Sequence, residues 1–221
     1  MNEKRIRKIN QNEIKLGPIV YWMNREIRTE DNWSILYAQK LAEENNVPLI
    51  VFYNLINSFL GGTSRHLTFK VDGLKEVENE LEKKGIPFFL LIDNEGKDSQ
   101  HQIVNFIKKH GAGAVVTDFY PLNLPKKWLN FVSKNIDCAL FEVDSHNIIP
   151  VWETSDKREY AAYTIRPKIH KKLSEFLDEF SKLKNKKLIL MVAFRKLIGI
   201  KFYLKKRSRK WIGLNLVKNP L

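Results

Sequence analysis

The chain has 221 residues, a single cysteine and a formal net charge of +13. That length suits one α/β domain with something added; one cysteine excludes an internal disulfide, and the longest apolar run, seven residues at 188–194, is too short to span a bilayer, which takes ~20. Of the 38 Lys and Arg, 13 fall in residues 181–221 with none of the 25 acids, so residues 1–180 are balanced and the basicity belongs to the tail alone. Residues 1–16 are polar, charged and aperiodic, and read as a mobile arm. Residues 19–23, IVYWM, form a short buried strand that ends abruptly in Asn24, Arg25, Glu26 and Arg28. Asp31 and Asn32 then open an amphipathic helix, with Trp33, Leu36, Ala38 and Leu41 apolar and Asn45-Asn46 as its stop.

Residues 48–54, PLIVFYN, predict a second buried strand. After Gly61-Gly62, with Thr63 or Ser64 as N-cap, Leu67, Val71, Leu74, Val77 and Leu81 recur at helical spacing up to Gly85. Residues 87–92 predict a third strand, and Ile103, Phe106 and Ile107 mark the next helix, closed by Gly111. A fourth strand at 114–118 runs into Phe119-Tyr120-Pro121. Pro125 suits the first turn of a helix carrying Trp128, Leu129 and Val132, and a fifth strand follows at 139–143. The expected fold is therefore α/β: a five-stranded, mostly parallel, Rossmann-like sheet with helices on both faces, in three layers. Residues 144–169 change texture, being dense in His, Asn, Trp, Tyr and Arg without a period. They read as a loop packing across a surface or meeting a ligand.

Ligands of parallel sheets sit beyond the carboxyl ends of the strands, so the loop after the first strand is the place to look. Arg25 and Arg28 suit an anionic or planar heterocyclic ligand, or pair with Glu26, Glu30 and Asp31. Asp118, Phe119 and Tyr120 leave the fourth strand toward the same rim, where an aromatic pair beside a carboxylate can hold a flat chromophore or simply pack the loop. Trp152, Tyr160 and Tyr163 suit contact with a neighbouring domain. No HExxH pair, Walker loop, GxGxxG or GxSxG elbow is present, and the five histidines are scattered. Neither a metal site nor a catalytic residue is expected.

Three motifs then carry a resemblance. Residues 22–36, WMNREIRTEDNWSIL, resemble the opening of the DNA photolyase/cryptochrome antenna domain, and TDFYPL at 117–122 looks like that domain's fourth-strand motif. FEVDSHNIIPVW at 141–152, followed by KREYAAYTIRPKI at 157–169, is similar to class II cyclobutane-pyrimidine-dimer photolyases. The resemblance covers about residues 17–180. It implies an antenna domain at 17–150 and a connector at 151–182 toward a helical domain that binds FAD. It further implies light-driven repair of UV-damaged DNA by the intact enzyme, and a deazaflavin or folate antenna at a rim made by Arg25, Asp118, Phe119 and Tyr120. Nothing after residue 180 resembles the FAD domain, so this chain is expected to be a cytoplasmic, monomeric, truncated photolyase, inactive alone or completed by a separately encoded FAD domain. The alternative is a stand-alone α/β ligand-binding module with a basic tail for nucleic acid or membrane.

The tail also reads as an out-of-frame translation beginning near residues 183–188. With A/T-leaning codons from Lys187 onward, starting each triplet at the third base allows a charge-balanced string ending in W-I-K-P-G-E-K, which resembles the class II connector before the FAD domain.

Overall fold

Strand β2 (Ile19–Met23) is buried at every position and forms the middle of the sheet. Its β-branched and aromatic side chains favour an extended backbone, and burial on both faces leaves no room for polar alternation. The computed structural model describes residues 1–56, 62–93 and 97–185; the tail from residue 186 lies outside them, and with it all but the first three residues of the stretch 183–188 where the change of frame is expected. Strand β3 (Leu49–Ile56) pairs parallel to β2 on one side, with β4 (Phe88–Asp93) beyond it. On the other side lie β5 (Ala114–Asp118) and then β6 (Ala139–Val143), both parallel. The chain thus builds outward from β2 to β4, then returns to build outward from β5. The point where the order reverses falls between β2 and β5, where open α/β sheets place their ligands.

Alternate side chains of each strand face opposite helices. Tyr21, Met23, Val51 and Val116 pack under α1 (Trp33–Glu44) and α2 (Ser64–Lys83). Val20, Trp22, Phe52 and Val115 pack under α3 (Ser99–Lys109) and α4 (Asn123–Asn135). Each buried Val, Leu, Ile or Phe contributes ~1.5–3 kcal/mol relative to exposure, so the two layers carry the fold. The expected three-layer arrangement is present.

Two expectations need correction. Among the described residues the sheet has six strands, not five, and residues 1–16 are not a free arm: β1 (Ile6–Lys8) pairs antiparallel with β6, Ile6 opposite Val143. This strand is held by backbone bonds and carries a single apolar residue, so no hydrophobic period announces it. Asn10 prolongs the pairing with its side chain, donating to the Cys138 carbonyl and accepting from Leu140 N, both at 3.0 Å. Farther on, the arm passes so close to the start of β5 that a Cβ on Gly17 would lie 2.2 Å from the Gly111 oxygen.

The second correction concerns residues 144–169. Their end is helical: α5 (Val151–Thr154) is a single turn, and α6 (Ala162–Phe176) contains Pro167. Proline in a helix interior removes one backbone bond, and its presence hid the pattern. Both new elements meet at Arg5, which is buried. Its guanidinium donates to the carbonyls of Asn147 (2.9 Å), Ile148 (2.6 Å) and Phe176 (2.9 Å), and lies over the rings of Trp33 and Phe176. The chain then runs back over α1, stacking Phe180 on Trp33 at 4.1 Å and burying Leu183. The Gln39 amide fixes this segment through both backbone groups of Lys184, each at 2.9 Å.

Candidate ligand rim at the carboxyl ends of β2 and β5

Asp118 closes β5 with its carboxylate turned toward the end of β2. One oxygen accepts from the Tyr21 hydroxyl at 2.8 Å. The other accepts the backbone N–H groups of Asn24 (2.9 Å), Arg25 (2.9 Å) and Glu26 (3.1 Å). Asp118 is itself buried, so this carboxylate templates the loop from inside rather than facing a ligand. Burial first, and then the adjacent Asp118 charge, hold the Tyr21 phenol well above its ordinary pKa. Tyr21 therefore stays a donor.

Asn32 completes the same scaffold from the helix side. Its oxygen accepts from Ser34 N (2.9 Å) and Ile35 N (3.1 Å), capping α1. Its amide nitrogen donates back to the Tyr21 oxygen (3.1 Å) and the Arg28 carbonyl (3.0 Å). The rest of the loop is tied by Glu26, a buried carboxylate whose oxygens lie 2.8 Å from Arg28 Nη2 and 3.0 Å from His146 Nδ1. Arg28 thus takes the ion-pair alternative open to it in the sequence.

Arg25 and Tyr120 remain at the surface of this frame. The Arg25 guanidinium lies 5.6 Å from the Tyr120 ring centroid, within the range of a cation–π contact. It is 4.0 Å from Glu26, at the limit of an ion pair. Phe119 is buried; it packs edge-on against Trp152 at 5.6 Å, while its N–H donates to the Val143 carbonyl. The four residues expected at the rim are therefore brought together in two roles. Asp118 and Phe119 build the wall, and Arg25 and Tyr120 present a stacked, partly exposed edge.

One group at this end of the sheet was not singled out from sequence. Asn54, near the end of β3 and level with Leu91 of β4, has both amide atoms buried without a hydrogen-bond partner. A buried orphan amide costs ~1–3 kcal/mol, so its retention calls for a reason. The signal was available: Asn54 interrupts the apolar series Phe52, Ile56 on one strand face. Arg5 and the Glu26–His146 pair were missed as well, and Asn32 was read only as part of the start of the helix, because residue type alone does not reveal burial. Among the described residues, no group of three or more His, Cys, Asp or Glu side chains could hold a metal ion, and no helix is long and apolar enough to cross a membrane.

Comparison with known proteins decides the family. Residues 19–185 match the DNA photolyase family. The chain belongs to it. Among curated photolyases, the deoxyribodipyrimidine photo-lyase of Potorous tridactylus is 44% identical over 184 residues, covering 81% of this chain and 34% of that protein. The Arabidopsis thaliana photo-lyase is 42% identical over 170 residues, covering 76% and 34%. The chain thus spans about a third of the length of these photolyases. Solved photolyases share its fold: the class III enzyme from Agrobacterium tumefaciens has a TM-score of 0.54 at 18% identity over 81% of this chain and 39% of its own. The archaeal photolyase from Sulfolobus tokodaii, solved with two FAD molecules, has a TM-score of 0.54 at 14% identity, covering 81% of this chain and 42% of its own.

Proposed function

We propose that this chain is the antenna part of a class II photolyase, serving light-driven repair of pyrimidine dimers in UV-damaged DNA. The observation that carries the antenna reading is the Arg25–Tyr120 edge, held at the reversal of strand order by a loop fixed on Asp118. A cation stacked on a phenol offers a face to a flat conjugated ring, and Arg25 adds donors for ring carbonyl oxygens. A deazaflavin or a folate, the two chromophores we assign to the rim, meets both requirements. Such a chromophore absorbs light; the protein's part is to orient it and keep water from its face.

The N–H groups of Asn24, Arg25 and Glu26 are already taken by Asp118, so this stretch of backbone is not free to hold a pyrophosphate. We assign FAD to the two thirds of the photolyase relatives that this chain does not match. The antenna reading is tested by titrating a deazaflavin and a folate into the purified protein and following absorbance and fluorescence. Saturable binding that weakens about tenfold or more in Arg25→Ala and Tyr120→Ala supports it. Binding that both variants leave intact, or no binding of either chromophore, overturns it.

We further propose that the tail is read out of frame, supported by its loss of every acid and by the W-I-K-P-G-E-K string in the shifted frame. Resequencing the encoding DNA across residues 175–221 and beyond tests this. A continuous photolyase frame restored by one inserted or deleted base is the expected result, and its absence in all frames defeats the idea.

A further inference from the structure

The two margins of the sheet are built differently. At one, β1 carries Arg7 and Lys8, with Arg7 paired to Glu142. The other is β4, Phe-Phe-Leu-Leu-Ile-Asp, with β3 on one side and, among the described residues, no strand on the other. Phe89, Leu90, Leu91 and Ile92 are each half-buried, whereas the inner strands β2 and β5 are buried throughout.

Sheet margins are usually blunted by lysine, proline or a bulge. β4 contains none of these, its register running unbroken against residues 51–56 of β3. Pro87 precedes it, and the Pro87 carbonyl accepts the Val51 N–H at 2.9 Å, so that residue turns toward β3. The Asp93 carboxylate is buried, accepting from Asp98 N–H at 3.0 Å and the Ser99 hydroxyl at 2.7 Å. The one charge in the strand is thus turned inward.

The backbone fixes which groups this margin offers. Residues alternate along a parallel ladder, so Phe89, Leu91 and Asp93 point their N–H groups toward β3, as Pro87 does its carbonyl. Phe88, Leu90 and Ile92 therefore point theirs away from it. The Gln102 amide reaches the Ile92 carbonyl only at 3.5 Å, the limit of a hydrogen bond.

We infer that β4 pairs antiparallel with β4 of a second copy, giving a two-fold dimer with one continuous sheet, where the sequence alone suggested a monomer. Centred on Leu90, this register sets Leu90 opposite Leu90 and Phe88 opposite Ile92, all with backbone groups facing the partner. Phe89 then lies opposite Leu91, so each of these cross-strand pairs is apolar. A slip of one residue would set outward-facing groups against inward-facing ones and lose the ladder. β4 thus supplies its own complement in both backbone phase and side-chain character. The three layers present about 20 Å along the strand and about 30 Å across, roughly 600 Å² before side-chain relief. α2, about 30 Å long, overhangs β4 and brings the area close to the ~800 Å² per partner of stable complexes.

The test follows the full chain by sedimentation velocity over about 1–100 μM, with amide exchange read residue by residue by NMR. A concentration-dependent dimer is expected. Exchange at Phe88, Leu90 and Ile92 should slow as concentration rises, while that at Phe89, Leu91 and Asp93 is slow throughout. Leu90→Pro removes an N–H that faces away from β3, and should weaken the dimer about tenfold or more. Phe69→Ala, at an exposed aromatic on α2, should leave it unchanged. A chain that stays monomeric over the whole range overturns the inference. So does a folded Leu90→Pro variant that pairs as the parent does. A dimer whose Phe88, Leu90 and Ile92 amides exchange independently of concentration puts the contact elsewhere, and also overturns it. Should Leu90→Pro not fold, the alternating protection in the parent decides alone. Assembly beyond two copies rejects the pairing too, because the far margins end in the charged β1. No rim residue takes part, so the chromophore titration judges the function separately.

Discussion

The Tyr21 hydroxyl donates to Asp118 across neighbouring strands at 2.8 Å, and the same carboxylate takes three successive N–H groups of the loop after β2. Removing the carboxylate leaves four donors without their acceptor in a buried place. Asp118→Ala is expected to cost about 3–5 kcal/mol. Asp118→Asn, which keeps the shape but turns an N–H₂ toward donors, is expected to cost about 1–3 kcal/mol. Urea denaturation measures both; a loss below about 0.5 kcal/mol for Asp118→Ala would show that water replaces the carboxylate.

Arg5 joins the amino-terminal strand, the loop before α5 and the end of α6. Arg5→Ala is expected to destabilise the fold by roughly 3 kcal/mol, through unpaired carbonyls and lost stacking on Trp33 and Phe176. Arg5→Lys should recover only part, because one ammonium cannot span the carbonyls of Asn147, Ile148 and Phe176 as the forked guanidinium does. Limited proteolysis between α5 and α6 provides a second readout, with cleavage faster in both variants. Unchanged cleavage in Arg5→Ala would contradict the role given to the guanidinium.

Asn54→Leu points the other way. The substitution removes two orphan polar atoms at nearly constant volume, and is expected to raise stability by about 1 kcal/mol. A denaturation midpoint below that of the parent would mean that the amide has a partner in solution. If the rim takes a ring with a donor and an acceptor on one edge, the stabilised variant should bind it more weakly. Stability and binding would then move in opposite directions.

His110 ends α3, its ring between Phe89 and Phe106 and its Nδ1 2.9 Å from the Phe106 carbonyl. Burial, the dominant cause, lowers its pKa below the ordinary histidine value. The unfolded chain therefore takes up the proton first as pH falls, so stability is retained above about pH 6.5 and eroded below it. Melting temperatures across about pH 5.5–7.5 should fall toward acid. His110→Asn should flatten that slope while keeping a helix-end donor, as Asn45 and Asn135 each donate to a carbonyl four residues back. A slope identical in the variant would assign the pH dependence to other groups.

The strands and four long helices were legible because β-branched runs and three- and four-residue spacings report burial directly. Residues 114–118 and 139–143 coincide with β5 and β6 to the residue. That the end of the first predicted strand lies beside Asp118 was legible too, since both strands were read as parallel and end on one side of the sheet. What the sequence hid were features made by pairing rather than partition. Ile6-Arg7-Lys8 forms a strand because β6 has a free edge, not because its side chains ask for one. Arg5 is buried because carbonyls from the loop before α5 and from the end of α6 meet there, and no spacing encodes a meeting of segments. Within α6, Pro167 masked a stripe that Ile165, Ile169 and Leu173 otherwise mark.

The short β1 strand bears on how the molecule behaves in concentrated solution. Without it, β6 would expose Ala-Leu-Phe-Glu-Val as a row of open backbone groups, a template on which another copy could add a strand. By pairing there, β1 turns the outermost row into Ile-Arg-Lys, with Arg7 held to Glu142 and stacked over Trp152 at 4.0 Å. Charged residues at a sheet margin discourage such addition. The amino-terminal residues thus cover the β6 margin of the sheet, and on their removal clumping is expected to begin along β6.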